Sequence, residues 1–155
     1  MLLAGPDTER VVDVSGAEWE ADRAGLARGS SSLHDVLRRR GLVVRSDLLA
    51  AWTHWITPAF EPRRYDTRFF VAALPPGQHA RDVSTESDRV AWMTPADALA
   101  ADVALMPPTR VTLTELAQYR SCADVLKAAQ ERTIAPIEPR AVREGDALWL
   151  DVDLP

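Results

Sequence analysis

The sequence predicts a mixed α/β (α+β) fold, and three features of its 155 residues support that prediction. Helix start signals, in which a serine or threonine is followed three residues later by an acid, recur along the chain. Apolar and aromatic runs of strand length lie between the helical segments. The C-terminal residues alternate in polarity around a glycine-containing turn, which is typical of a β-hairpin.

Two helices followed by three strands are predicted in the first part of the chain. Ser15 and Glu18 have the spacing of a capping box ahead of a helix that ends near Arg28. A second helix begins at Ser32, and Gly41 is placed to end it. Apolar density then predicts strands over 48–55, 68–74 and 90–93, with a proline-glycine turn over 74–82 between the last two.

The second half of the chain is predicted to be helical. Thr94 at the N-cap and Pro95 at the first helical position predict a helix that extends to about Ala101. Two amphipathic stretches follow at about 112–119 and 123–131, and a serine N-cap opens the second of them.

A turn at 144–146 between alternating apolar residues predicts a strand or hairpin near the C-terminus. The sequence contains no internal repeat and no low-complexity block. We therefore expect one domain over 1–139, followed by a tail over 140–155.

Composition and charge limit the partners that we expect. The net charge is −5 and the basic residues are scattered, which argues against a nucleic-acid partner. No apolar run approaches the roughly 20 residues that a membrane helix needs, so we expect no membrane span. The single cysteine, Cys122, cannot form an internal disulfide, and the first residues lack the basic pattern of a secretory leader. We expect a cytoplasmic location.

The stretch AWTHWITPAFEPRRYDTRFF, residues 51–70, gathers residue types that suit a ligand-binding wall. Arginine can bind a phosphate or carboxylate through two parallel hydrogen bonds. Arg63, Arg64 and Arg68 could therefore face one cleft and bind an anion. The alternative is a surface ion-pair network with Asp66, and the residues alone leave both interpretations open.

Three segments and one acidic residue occur in a fixed order along the chain. They are WITPAFEPRRYDTRFFVAALP, then Glu86, then VAWMTPADAL and finally LMPPTRVTLTEL. Their order and spacing resemble the C-terminal part of Nudix hydrolases, in particular the bacterial group similar to peroxisomal coenzyme A diphosphatases. The resemblance extends from Met1 to about Pro139. It implies a partial Nudix-type α/β/α sandwich around a mixed sheet, without the N-terminal strands and the helix of the Nudix box.

The resemblance also implies an activity. Nudix-type hydrolases act on nucleoside diphosphate-linked or coenzyme A-like substrates through metal-assisted attack of water on phosphorus. The implied cofactor is Mg²⁺ or Mn²⁺, and the implied partner is a small-molecule diphosphate substrate. At the matching positions, Trp55, Arg63, Arg64 and Arg68 are implied to bind substrate, and Glu86 to take part in catalysis. A solvated loop carboxylate is the alternative for Glu86.

The sequence lacks the metal-binding signature of the family, G-x5-E-x7-R-E-U-x-E-E-x-G-U. We therefore name no metal ligand and expect this chain alone to be inactive with Mg²⁺ or Mn²⁺. Its first residues, MLLAG, resemble the end of that signature region, so a misplaced start or a truncated gene is one explanation. The alternative is a non-catalytic binding or interaction module derived from the family.

Loss of the N-terminal strands and the box helix has a predicted structural consequence. Unpaired strand edges and apolar surface would be left open to water. We expect Trp52, Trp55, Trp92 and Phe70 to be partly exposed core residues. The chain would then form a homodimer, aggregate or pair with another chain.

Overall fold

A computed structural model describes residues 2–79 and 90–154 of the chain. The chain divides into two compact units. One is formed by Met1–Leu49 with Ala72–Trp92, and the other by Ala50–Val71 with Met93–Pro155. Helices and strands are mixed in the chain, and one sheet contains both parallel and antiparallel pairs. The predicted mixed α/β class is therefore confirmed, whereas the domain boundary at residue 139 stays a prediction.

The described residues of the first unit form two short strands and two helices. Strands β1 and β2 pair in antiparallel fashion, with Ala4 opposite Val44. The buried core is formed by Val14, Trp19 and Val36. The elements are β1 (Ala4–Gly5), α1 (Ala17–Ala27), α2 (Leu33–Arg40) and β2 (Val43–Val44), followed by a 3₁₀ turn (Ser46–Leu48).

The two predicted helices of this unit begin in different ways. In α2 the backbone N–H of Asp35 donates to the Ser32 hydroxyl at 3.1 Å, and the predicted capping box is present. Gly41 ends α2 with a φ of 64°, a left-handed conformation that glycine adopts at little cost. The capping box predicted for α1 is wrong, because Gly16 is its N-cap and the Ser15 hydroxyl instead donates to Asp13 at 3.0 Å.

Asp22 of α1, a buried residue, forms ion pairs with two arginines of α2. Arg40 Nε donates to one carboxylate oxygen of Asp22 at 2.6 Å, and Arg39 donates to the other. The Arg40 guanidinium also stacks on the Trp19 ring, with its central carbon 3.9 Å from the ring centroid. The hydrogen bond from Arg40 is the main reason why the pKa of Asp22 lies below its ordinary value.

Substituting Asp22→Asn should remove part of the acid sensitivity of the fold. Because the pKa of Asp22 is lower in the folded chain than in the unfolded chain, its carboxylate stabilises the fold above the unfolded pKa of about 3.9. This contribution is lost as the pH falls through the lower, folded pKa. We expect a lower urea midpoint for the variant at pH 7 and a smaller further loss on acidification.

Urea titrations at neutral and at acid pH measure both effects. Asp153→Asn serves as the control, because Asp153 is exposed and has no ion pair within residues 2–79 and 90–154. An equal loss of stability on acidification in the native chain and in Asp22→Asn would contradict the assignment.

The side chain of Gln78 connects two sequence-distant segments of the first unit. Its carbonyl oxygen accepts a hydrogen bond from the backbone N–H of Leu2 at 2.9 Å. Its amide nitrogen donates to the backbone oxygens of Leu2 at 2.9 Å and of Val12 at 3.3 Å. Gln78 is 5% exposed, and its amide satisfies partly buried backbone groups much as a neighbouring strand would.

The second unit contains a three-stranded mixed sheet, three helices and a hairpin. Strand β3 is central, since β4 pairs with it in antiparallel fashion and β5 in parallel fashion. The predicted C-terminal hairpin is confirmed. The elements are β3 (Ala50–Ile56), β4 (Asp66–Val71), α3 (Pro95–Ala100), α4 (Pro107–Leu116), α5 (Cys122–Glu131), β5 (Pro136–Ile137), β6 (Arg140–Glu144) and β7 (Ala147–Asp151).

Two predicted elements differ from those observed. The described residues 90–93 are irregular, so the strand predicted there is wrong. A strand needs a partner for its backbone groups, and these residues pair with no strand of the described chain. Helix α4 begins at Pro107, five residues before its predicted start, because Pro107 and Pro108 occupy its first turn, where no intrahelical N–H is needed.

The prediction of partly exposed aromatic side chains is right for two residues and wrong for two. Trp92 is 74% exposed and Phe70 is 52% exposed, as expected. Trp52 and Trp55, however, are only 0% and 3% exposed. Helices α4 and α5 contact β3 and supply cover for the strand that carries these two rings. The predicted homodimer stays a prediction.

The ring of Trp52 is held by polar as well as apolar contacts. Its Nε1 donates to Glu115 at 2.8 Å, and the edge of Tyr119 lies against it with ring centroids 5.8 Å apart. The Arg132 guanidinium stacks on the ring at 4.3 Å, donates to the Trp52 carbonyl at 3.0 Å and pairs with Glu115 at 3.1 Å.

Within the described ranges, no helix has the length and apolarity needed to cross a bilayer.

Candidate functional site

A groove with a volume of about 360 Å³ lies within the second unit, and we call it the aromatic groove. Aromatic side chains and prolines form most of its wall, with one arginine and one glutamate. The lining residues are Trp55, Ile56, Thr57, Pro58, Phe60, Glu61, Arg63, Tyr65, Thr67, Phe69, Met106, Pro107, Pro108, Pro139 and Leu150.

The pairing of β3 with β4 places three of these side chains on one face of the sheet. Trp55 lies opposite Thr67, and Thr53 lies opposite Phe69. Since side chains alternate along a strand, Trp55, Thr67 and Phe69 share a face, and all three line the groove. The loop between the two strands supplies Phe60 and neighbouring residues to the wall.

Arg63 is the one arginine of the predicted trio that lines the aromatic groove. Its guanidinium carbon lies 5.3 Å from the centroid of the Tyr65 ring, within the range of a cation–π contact. In the part of the chain that the structure describes, Arg63 has no carboxylate partner. The groove therefore combines apolar walls with a cation that is available to an anion.

Arg64 holds the loop between β3 and β4 in place. It forms an ion pair with Glu138, and its Nε donates to the carbonyl of Thr57 at 2.9 Å. The loop is closed further by Thr57, whose backbone N–H donates to Tyr65 O and whose hydroxyl accepts from Tyr65 N, both at 2.9 Å. Arg64 is therefore held in an ion pair, although its partner is Glu138 and not the predicted Asp66.

Arg68 lies on the face of the sheet opposite the aromatic groove. It is the register partner of His54, whereas groove residues Trp55 and Thr67 pair at the next position. Arg68 pairs with Asp66 at 3.1 Å, and the same carboxylate oxygen lies 2.7 Å from His54 Nε2. The structure therefore does not bring the three predicted arginines into one cleft, because strand alternation separates Arg68 from the groove.

The remaining predicted site residues have different outcomes. Trp55 lines the groove, and its indole N–H is buried without a hydrogen-bond partner within the described chain. Glu86 lies outside the described residues, so its catalytic role stays a prediction. Within the described ranges, no three His, Cys, Asp or Glu side chains are close enough together to hold a metal ion.

Part of the groove wall comes from residues that are distant in sequence from the stretch 51–70, and the sequence did not predict it. Pro107 and Pro108 come from the first turn of α4, and Pro139 follows β5. The proline pairs were visible in the sequence, and rigid turns commonly support binding loops. Nothing in the sequence indicated that these prolines lie beside Trp55.

Comparisons with known proteins give one informative similarity. Over 157 aligned residues the chain is 26% identical to the acyl-coenzyme A diphosphatase NUDT19 of Xenopus laevis. The alignment covers 94% of this chain but only 39% of that protein, so the chain spans about two fifths of the relative's length. No protein-family model matches the chain, and no solved structure is significantly similar to it. The similarity to this diphosphatase indicates a distant, Nudix-like relationship, in agreement with the resemblance of the sequence motifs.

Proposed function

We propose that this chain is part of a Nudix-type hydrolase of nucleoside diphosphate-linked or coenzyme A-like substrates, and that its aromatic groove binds part of that substrate. The similarity to an acyl-coenzyme A diphosphatase over nearly the whole chain supports the class of reaction. The composition of the groove supports the class of ligand, because aromatic and proline walls with few polar groups suit an organic moiety.

The observation that carries this proposal is the position of Arg63. The two other predicted arginines are engaged, Arg64 with Glu138 and Arg68 with Asp66. Arg63 lies at the groove without a carboxylate partner among the described residues. Its planar guanidinium can donate two parallel hydrogen bonds to a phosphate while the apolar part of the ligand contacts the aromatic walls.

The metal-dependent step of such a hydrolase is not assigned to residues of the described chain. The family relationship implies a divalent cation, Mg²⁺ or Mn²⁺, which would neutralise phosphate charge and activate water. Residues 2–79 and 90–154 do not fit such an ion, because no three suitable side chains come together. The proposal for these residues is therefore limited to substrate binding and orientation.

Coenzyme A binding to the 155-residue chain tests this role by calorimetry. Arg63→Lys should raise the Kd roughly ten- to a hundredfold, because a hydrogen bond to a charged group contributes about 1.5–3 kcal/mol. A lysine keeps the charge but cannot reproduce the paired geometry.

Arg68→Lys is the matched control, since Arg68 lies on the other face of the sheet and pairs with Asp66. We expect this variant to bind coenzyme A with nearly the native Kd. Absence of binding by the native chain, or equal losses in both variants, would overturn the assignment of the groove.

A further inference from the structure

The first unit contains a second cavity, with a volume of about 290 Å³. Six apolar side chains contributed by the N-terminal segment and both helices form most of its wall. They are Leu2, Val14, Trp19, Leu26, Leu33 and Val36. Nothing in the proposed function uses this cavity.

The cavity lies beside the hydrophobic core of this unit. Its lining includes Val14, Trp19 and Val36, which are the three residues of the buried core cluster. Protein interiors are normally close-packed, with few voids larger than a water molecule. A space of this size next to the core is near the lower end of the range of ligand pockets, about 300–1,000 Å³.

Each charged side chain of the wall already has a partner of opposite charge. Asp22 is paired with both Arg39 and Arg40. Arg23 is paired with Glu20 and donates to the backbone oxygen of Val14 at 2.8 Å. A charged ligand entering the cavity would therefore lose its hydration without gaining a free counter-charge, which is unfavourable.

The neutral polar groups of the wall differ from one another. The amide nitrogen and the amide oxygen of Gln78 are both engaged in hydrogen bonds to Leu2 and Val12. His79 is exposed, lines the cavity and has no hydrogen-bond or ion-pair partner within the described chain. The wall thus offers apolar contact over most of its area and one ring nitrogen at its exposed edge.

We propose that this cavity is a binding site for a small, uncharged, apolar molecule of about two aromatic rings. The apolar walls and the paired charges determine the chemical class. The volume determines the size, because an apolar cavity of about 150 Å³ holds benzene. The ring of His79 provides a hydrogen bond to a single polar atom at the edge of such a ligand.

Indole is a suitable probe, since it is neutral, has two rings and carries one N–H. Its binding to the full 155-residue chain can be followed by a ligand-observed NMR titration. Val36→Phe places a larger ring in the wall and should raise the Kd for indole by at least about tenfold. Val142→Phe is the matched control, because Val142 is 44% exposed on the hairpin and lies outside the cavity.

A second variant and two charged analogues of indole complete the test. If Val36→Phe does not fold, Leu33→Trp fills the cavity from a half-exposed wall position and should have the same effect on indole binding. Indole-3-carboxylate and tryptamine, which carry opposite charges, should each bind at least about tenfold more weakly than indole. Native-like indole binding by the filled variant, or tighter binding of either charged analogue, would overturn the proposal.

Discussion

Replacing Trp52 with alanine should lower the free energy of unfolding by about 3–5 kcal/mol, the range measured for buried aromatic side chains. Trp52 is fully buried, so the substitution leaves a large cavity beneath α4 and α5. It also removes the indole N–H, which donates a hydrogen bond to Glu115, and the ring on which Arg132 stacks. The two charged side chains would keep their own ion pair but lose the surface that holds it in place.

Urea denaturation followed by circular dichroism measures this loss. Trp92→Ala is the matched control, because Trp92 is 74% exposed, and it should change the free energy of unfolding by no more than about 0.5 kcal/mol. Similar urea midpoints for Trp52→Ala and the native chain would show that the ring is not part of the stabilising core.

Gly5→Ala should destabilise the first unit by about 1–3 kcal/mol, through steric overlap rather than lost contacts. A Cβ at this position would overlap the carbonyl oxygen of Arg10 and lie 2.8 Å from its carbonyl carbon. Both are backbone atoms, so they cannot turn away as a flexible side chain would. The pairing of β1 with β2, in which Gly5 lies opposite Val43, should open first.

Amide hydrogen exchange detects this opening directly. The N–H groups of Val12 and Arg45 donate to Ala4 and Leu3, both at 2.9 Å, and they should exchange faster in the variant. Gly16→Ala is the control in the same unit, because the three atoms nearest to its added Cβ all belong to the movable Glu18 side chain. Native protection of both amides in Gly5→Ala would contradict the predicted overlap.

Local signals in the sequence predicted the helices with polar caps and the hairpin. In α2, α3 and α5, a serine or threonine hydroxyl accepts a hydrogen bond from the backbone N–H three residues later, as their sequences indicate. The C-terminal hairpin turns at Gly145, whose φ is 60°. These features depend on residues close together in the chain, so a single sequence is sufficient to find them.

Features that depend on distant residues were harder to predict. The burial of Trp52 requires Glu115 and Arg132, which follow it by 63 and 80 positions. The strand predicted at 90–93 had the right composition, but composition alone cannot supply a pairing partner. Tertiary contacts decided the outcome at both places.

The arrangement of the candidate site could be predicted only in part, for the same reason. Trp55 and Arg63, both in the stretch 51–70, line one groove, whereas their role in substrate binding stays a prediction. The residue types did not distinguish Arg63, which lies in the loop between β3 and β4, from Arg68, whose face of the sheet follows from the register of β4 with β3. That register includes an irregularity between Ala51 and Thr53, which no local pattern revealed.

The hydrogen bonds of Gln78 have a consequence for the order in which the chain folds during synthesis. The first unit is discontinuous, and Gln78 connects its N-terminal segment to residues made 76 positions later. At a synthesis rate of about 5–20 residues per second, Gln78 is added to the chain roughly 4–15 s after Leu2. During that interval the growing polypeptide also produces all of β3 and β4, so two strands of the second unit are synthesised before the Gln78 contacts of the first unit can form.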